Sequence, residues 1–135
     1  MSSVYFMNNP KVVIAIAAFL MAIAVAAGAF GAHALRNVLS PERMETWEIA
    51  VLYHSFHALG LILIALAGNY FQVDVGIPTS LILGGILVFS GSLYALCLTN
   101  TGWLGAITPI GGLAFITGWI WLGVQLILAE PGSGS

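Results

Sequence analysis

The chain has 135 residues, of which 60% are hydrophobic and 6% are charged, and its formal net charge is −2. Soluble domains carry about 25% charged residues, so this composition indicates a protein whose surface faces lipid. Eight charged side chains without a basic cluster argue against binding to nucleic acid, and the single cysteine, Cys97, excludes an intramolecular disulfide framework.

Four segments are long and apolar enough to cross a membrane, because about 20 apolar residues in a helix span a hydrocarbon core of roughly 30 Å. Ser40 and Pro41 are a typical N-cap and first helical residue for the second segment. Pro109 lies near the start of the fourth and predicts a kinked or separate first turn there. The predicted spans are residues 11–35, 41–69, 78–98 and 104–129.

These spans predict one integral membrane domain over residues 1–130. Residues 131–135 (PGSGS) have no capacity for packing and are interpreted as a linker or an artificial tail. A cleaved signal peptide is the alternative interpretation of the first 34 residues, because Lys11 precedes an apolar run and a small-residue AHA sequence. That run is longer than the roughly 7–15 apolar residues of a secretory signal, so we expect an uncleaved span.

The connections between the spans are short, which favours an all-α, four-helix transmembrane bundle in antiparallel up-down-up-down order. Lipid gives no hydrophobic drive between helices, so small residues must allow close packing. Packing within one subunit is the favoured role of these residues, and contact between subunits is the alternative. The predicted packing residues are Gly28, Gly31, Gly84, Gly91, Gly111, Gly112 and Gly118.

Polar residues from several spans are expected to gather in one half of the membrane. Intramembrane ionisable residues usually face a bundle interior or a cavity, and they suggest a functional site. A neutral histidine can equally join two helices by hydrogen bonds, and we favour that role for each histidine taken singly. The candidate polar pocket consists of His33, Tyr53, His54, His57, Ser90, Ser92 and Tyr94.

The sequence contains no catalytic signature, and we expect no enzyme activity and no cofactor. The residue pattern of the sequence shows no nucleophile–base pair, no phosphate-binding loop and no paired catalytic carboxylates. His54 and His57 have a usable spacing for a metal, and His33 and Cys97 are further candidate ligands. Because no dedicated motif such as HExxH is present, no metal site is predicted.

Four collinear stretches resemble the family known as domain of unknown function 423, which contains transmembrane protein 256-like small bacterial inner-membrane proteins. They are GAFGAHAL (Gly28–Leu35), YHSFHALGL (Tyr53–Leu61), FSGSLYAL (Phe89–Leu96) and TPIGGLAFITGW (Thr108–Trp119). The resemblance implies a four-helix integral membrane protein, in the bacterial plasma membrane, and no established activity. Members of the family often carry glutamine at the position of His54, so the resemblance favours His33 and His57 as a functional pair.

Two functions are therefore open at this point. The favoured one is a structural or accessory component of a membrane assembly, in contact with the lipid bilayer and with a second copy or a larger membrane protein complex. The alternative is a membrane-embedded binding or transport protein. Its polar pocket would hold a small ligand, a lipid or quinone head group, or a proton.

Overall fold

The computed structural model of the protein describes residues 3–131, and no strand occurs in that range. Four of its helices are long and apolar enough to cross a membrane, which confirms the predicted helical class and the number of spans. A short helix, Ser3–Met7, precedes them. The tail predicted at residues 131–135 lies outside the described residues except for Pro131. The first to fourth spanning helices are Pro10–Leu35, Pro41–Phe71, Gly76–Thr99 and Gly102–Leu128.

The helix ends are set by local hydrogen bonds that the residue types allow. The side chain of Asn9 accepts the first free backbone N–H groups of the first spanning helix. The hydroxyl of Ser40 accepts the N–H of Arg43 at 3.2 Å, which confirms Ser40 as the N-cap of the second. At the other ends, Gln72 and Asn100 close the second and third helices in the left-handed conformation.

Three of the spanning helices contain a segment that departs from α geometry. Gly31–Leu35 and Ile86–Ser90 are π turns, which shift the faces of the residues that follow them. In the fourth, a 3-10 turn at Gly102–Ala106 precedes the α-helix that begins at Thr108. Because proline lacks an N–H donor, Pro109 is tolerated in the first turn of that helix, and the predicted separate turn is observed.

The second and third spanning helices form the buried centre of the molecule. In their most apolar windows 44% and 39% of the residues are buried, against 17% in each of the outer helices. The first helix packs most extensively on the second, and the third on the fourth. One apolar cluster joins residues of all four spanning helices, and a smaller one surrounds Trp47 and Leu96.

Hydrogen bonds connect helix ends that are distant in sequence. The indole N–H of Trp47, near the start of the second spanning helix, donates to the Ala27 carbonyl near the end of the first at 2.9 Å. The Arg43 guanidinium donates to Asn100, just beyond the end of the third, at 3.1 Å. An antiparallel order of the spanning helices would produce such contacts.

The predicted packing glycines divide into three groups. A Cβ atom on Gly31, Gly111 or Gly118 would lie closer to a neighbouring helix than an ordinary contact allows, and one on Gly28 or Gly112 would make an ordinary contact. A Cβ on Gly84 or Gly91 would meet no other described atom within 4 Å. The structure therefore gives Gly84 and Gly91 no packing role inside this chain.

Two close approaches of the fourth spanning helix were not predicted. At Gly60, a Cβ atom would lie 2.7 Å from the Trp119 ring, and at Gly85 it would collide with Phe115. Both glycines bring the fourth spanning helix close to the buried centre. Gly84 lies seven residues before Gly91, a spacing that predicts a shared helix face, whereas its neighbour Gly85 is the residue in contact.

Candidate functional site

His54 and Tyr94 form a side-chain contact between the second and third spanning helices. His54 is 3% exposed, and its Nδ1 lies 2.9 Å from the Tyr94 hydroxyl. Its Nε2 is also buried and has no hydrogen-bond partner among the described residues. The Tyr94 ring packs against Trp47, with ring centroids 4.7 Å apart. This pair therefore joins two helices and leaves one ring nitrogen unpaired.

His57 lies one turn further along the same helix, in a different environment. Its Nδ1 is 2.8 Å from the backbone carbonyl of Tyr53. A carbonyl can only accept a hydrogen bond, so Nδ1 is the donor, and Nε2 of the neutral ring is an acceptor. The ring stacks on Phe115 of the fourth spanning helix, with centroids 3.5 Å apart and planes inclined by 13°. His57 is thus fixed by its own helix and by an aromatic neighbour.

The two serines make further contacts between helices. The Ser90 hydroxyl donates to the Ala50 carbonyl at 2.8 Å, which joins the third spanning helix to the second. Ser92 and Thr108 share a hydrogen bond of 2.7 Å, which joins the third to the fourth. Since these hydroxyls are buried and already paired, neither is left free for a ligand.

The Tyr53 ring lies beside His57, with centroids 6.0 Å apart, and packs on Phe89, whereas His33 does not join these contacts. His33 lies in the first π turn, and its side chain is exposed. Gly31, two residues before His33, lies against Trp47 of the second spanning helix. Trp47 precedes His57 on that helix by ten residues, or about 15 Å. The structure therefore places the exposed His33 side chain near Trp47 at the end of the bundle, away from His57.

The candidate pocket is accordingly a set of separate contacts rather than one cavity. Among residues 3–131, no group of three His, Cys, Asp or Glu side chains is placed to hold a metal ion. Cys97 donates instead to the Arg43 carbonyl at 3.3 Å. The arrangement is suited to fixing the positions of helices.

Sequence reasoning missed Phe115 and Trp119, which pack beside His57. A signal for Phe115 was present, because buried residues of the fourth spanning helix recur every three or four positions. That buried face consists of Thr108, Gly111, Phe115, Gly118 and Leu122. Trp119 borders it and enters the bundle against Gly60.

One side of His57 borders a groove between the second and fourth spanning helices. The groove has a volume of about 540 Å³, and several of its lining side chains are exposed on the surface that faces lipid. Its walls are largely apolar. The lining residues are Leu52, Tyr53, Phe56, His57, Leu59, Gly60, Leu63 and Trp119.

Comparison with known proteins gives a consistent result. The family described as "Protein of unknown function (DUF423)" matches residues 27–112. A UPF0382 membrane protein of Staphylococcus haemolyticus is 46% identical over 83% of this chain and 92% of its own length. The UPF0382 membrane protein YwdK of Bacillus subtilis is 41% identical over 87% of this chain and 97% of its own length. No solved structure matches significantly.

Proposed function

The chain belongs to the DUF423 family of UPF0382 membrane proteins, and from that premise we propose that it is a non-enzymatic structural or accessory component of a membrane assembly. In this proposal the four spanning helices form an antiparallel bundle in the bacterial plasma membrane. The bundle associates with a second copy or with a larger membrane protein complex, and it needs no cofactor.

The use of the buried polar groups supports this proposal. The side chains of His54, Ser90 and Ser92 bond to a neighbouring helix. Such bonds are worth about 0.6–2 kcal/mol each in membranes, and they fix the relative positions of the helices. Buried groups used in this way stabilise one arrangement of the bundle, as a scaffold requires.

The observation that carries the proposal is the open position of Gly84 and Gly91 on the third spanning helix. A Cβ atom at either position would meet no described atom of this chain within 4 Å. Glycine costs about 1 kcal/mol relative to alanine in a helix, and in membranes small residues are enriched where two helices meet. A helix from another subunit, packed along the third spanning helix at these two positions, accounts for both glycines.

Mass measurement after purification in a gentle detergent tests the proposal. We expect the wild-type protein to migrate with a mass greater than one chain, or with a stoichiometric partner protein. The double variant Gly84→Leu/Gly91→Leu should be monomeric and without a partner, because leucine side chains block close approach. The chain itself should still fold, since its own atoms leave space at both positions.

Gly123 provides the matched control. It lies on the fourth spanning helix, and a Cβ atom there also meets no described atom within 4 Å. Because the proposal places the partner on the third spanning helix, Gly123→Leu on the fourth should retain the association that Gly84→Leu/Gly91→Leu loses. A wild-type protein that is a lone monomer, or a double variant that associates as the wild type does, would contradict the proposal.

A further inference from the structure

We propose that the groove between the second and fourth spanning helices binds a membrane-soluble phenol, meaning an aromatic ring that carries a hydroxyl donor and an apolar tail. The inference goes beyond the scaffold role and does not depend on it. It rests on the shape of the groove, the hydrogen bonding of the His57 ring and the depth of that residue in the membrane.

The groove has the size and lining of a small-molecule site. Its volume of about 540 Å³ lies within the range of about 300–1,000 Å³ that is usual for ligand sites, which are mostly apolar with a few placed polar groups. The exposed side chains of Leu52, Phe56 and Leu63 line it, so a molecule dissolved in the bilayer can enter from the lipid.

His57 contributes a hydrogen-bond acceptor to this groove, beside the Tyr53 hydroxyl and the Trp119 indole N–H of its lining. Nδ1 of His57 donates to the Tyr53 carbonyl, which leaves Nε2 with a free lone pair in the neutral ring. No described side chain bonds to Nε2 of His57. In His54, by contrast, Nδ1 is paired with the Tyr94 hydroxyl. A ligand that uses this position must therefore bring a hydrogen-bond donor.

The depth of His57 restricts the kind of donor. Nine residues, or about 13 Å of helix, separate it from Glu48, the last charged residue of the second spanning helix. Towards the other end, Asn69 is twelve residues, or about 18 Å, away. Lipid head groups stay at the membrane surface, so the donor must belong to a molecule that itself dissolves in hydrocarbon.

The aromatic lining favours a ring as the carrier of that donor. Tyr53, His57 and Trp119 all line the groove, and Trp119 is held close to the second spanning helix by the absence of a side chain at Gly60. Aromatic rings prefer offset-stacked or edge-to-face contacts with other rings. A phenol satisfies the acceptor and the aromatic walls together, while its tail follows the lipid chains.

A matched pair of probes tests the inference on the full chain in lipid nanodiscs. The probes are 4-decylphenol and its methyl ether, which differ in the hydroxyl donor. With ¹⁵N-histidine-labelled protein, we expect saturable binding of the phenol about three- to tenfold tighter than that of the ether. The Nε2 resonance of His57 should shift, and the resonances of exposed His33 should not.

Three variants locate the site. His57→Phe keeps an aromatic ring beside Phe115 and should remove the preference for the phenol. Leu63→Trp fills the groove and should weaken both probes at least tenfold. Leu66→Trp is the control, because Leu66 is exposed on the same helix but does not line the groove.

Several outcomes would overturn the inference. Equal affinity for the two probes excludes a role for the donor. An unchanged preference in His57→Phe excludes His57 as the acceptor, and unchanged binding in Leu63→Trp excludes the groove. If His57→Phe does not fold, the comparison of Leu63→Trp with Leu66→Trp still decides whether the groove is the site.

Discussion

His54 on the second spanning helix and Tyr94 on the third are joined by a hydrogen bond of 2.9 Å between Nδ1 and the phenolic hydroxyl. His54 is almost completely buried, and its other ring nitrogen has no described partner. Hydrocarbon offers no replacement for a lost hydrogen bond. Removal of one member of this pair is therefore a direct test of its structural role.

We expect Tyr94→Phe to lower the free energy of unfolding by about 1–3 kcal/mol, because it leaves Nδ1 of His54 buried without a partner. A double-mutant cycle of Tyr94→Phe with His54→Leu should give a coupling energy of about 0.6–2 kcal/mol. The measurement is reversible unfolding in mixed micelles. Tyr70→Phe, at a highly exposed tyrosine, is the control and should be neutral. A coupling energy of zero would show that the pair does not stabilise the bundle.

Two neighbouring glycines on the fourth spanning helix should respond differently to alanine. A Cβ atom on Gly111 would collide with the backbone of Phe89, whereas one on Gly112 would lie 3.7 Å from the Phe89 ring, an ordinary contact. We expect Gly111→Ala to destabilise the protein by about 1–3 kcal/mol through overpacking. Gly112→Ala should be neutral or stabilising by up to about 1 kcal/mol, because alanine favours the helix. Thermal unfolding of both variants in one detergent gives the comparison, and equal melting temperatures would refute it.

Gln72 ends the second spanning helix at φ 55°, in a conformation that glycine adopts without steric cost. We expect Gln72→Gly to be more stable than Gln72→Ala by about 1–2 kcal/mol, because alanine keeps the strain of the left-handed conformation. Both variants lose the same hydrogen bond from the Gln72 side chain to the Asn69 carbonyl, so that loss cancels in the comparison. Unfolding free energies measured side by side test this; a more stable alanine variant would contradict the assigned geometry.

The purified protein should hold no stoichiometric metal ion. Among residues 3–131, no three potential ligands are close enough to form a site. We expect elemental analysis to give much less than one zinc or other transition metal per chain, and treatment with EDTA to leave the melting temperature unchanged. One zinc per chain that is lost in His57→Ala would reverse this conclusion.

The spans could be predicted because the cost of placing charges and unpaired backbone groups in hydrocarbon leaves few alternatives. The predicted bounds differ by only a few residues from the observed ones. For example, the sequence predicts the third span from residue 78, and the helix begins at Gly76. Proline is typical of the first helical position, which favours a start at Pro78, yet proline is tolerated throughout the first turn.

The orientation of faces could be predicted much less well. In a regular α-helix, a spacing of seven residues would place Gly84 and Gly91 on nearly the same side. The spacing does not tell which neighbour that side would face. The neighbouring Gly85 contacts Phe115, and a π turn at Ile86–Ser90 changes the phase of the helix between the two predicted residues. His33 lies in the other π turn, Gly31–Leu35, and its side chain is exposed; no residue pattern marks either turn.

The side chain of Asn8 bonds to a segment that is synthesised much later. It donates to the Asp74 carboxylate at 2.9 Å and accepts the backbone N–H of Val75 at 2.7 Å. These contacts can form only after residues 74 and 75 have left the ribosome, when two spanning helices have already been made. The N-terminal segment therefore reaches its final position late in biosynthesis, because its hydrogen-bond partners lie in the middle of the chain.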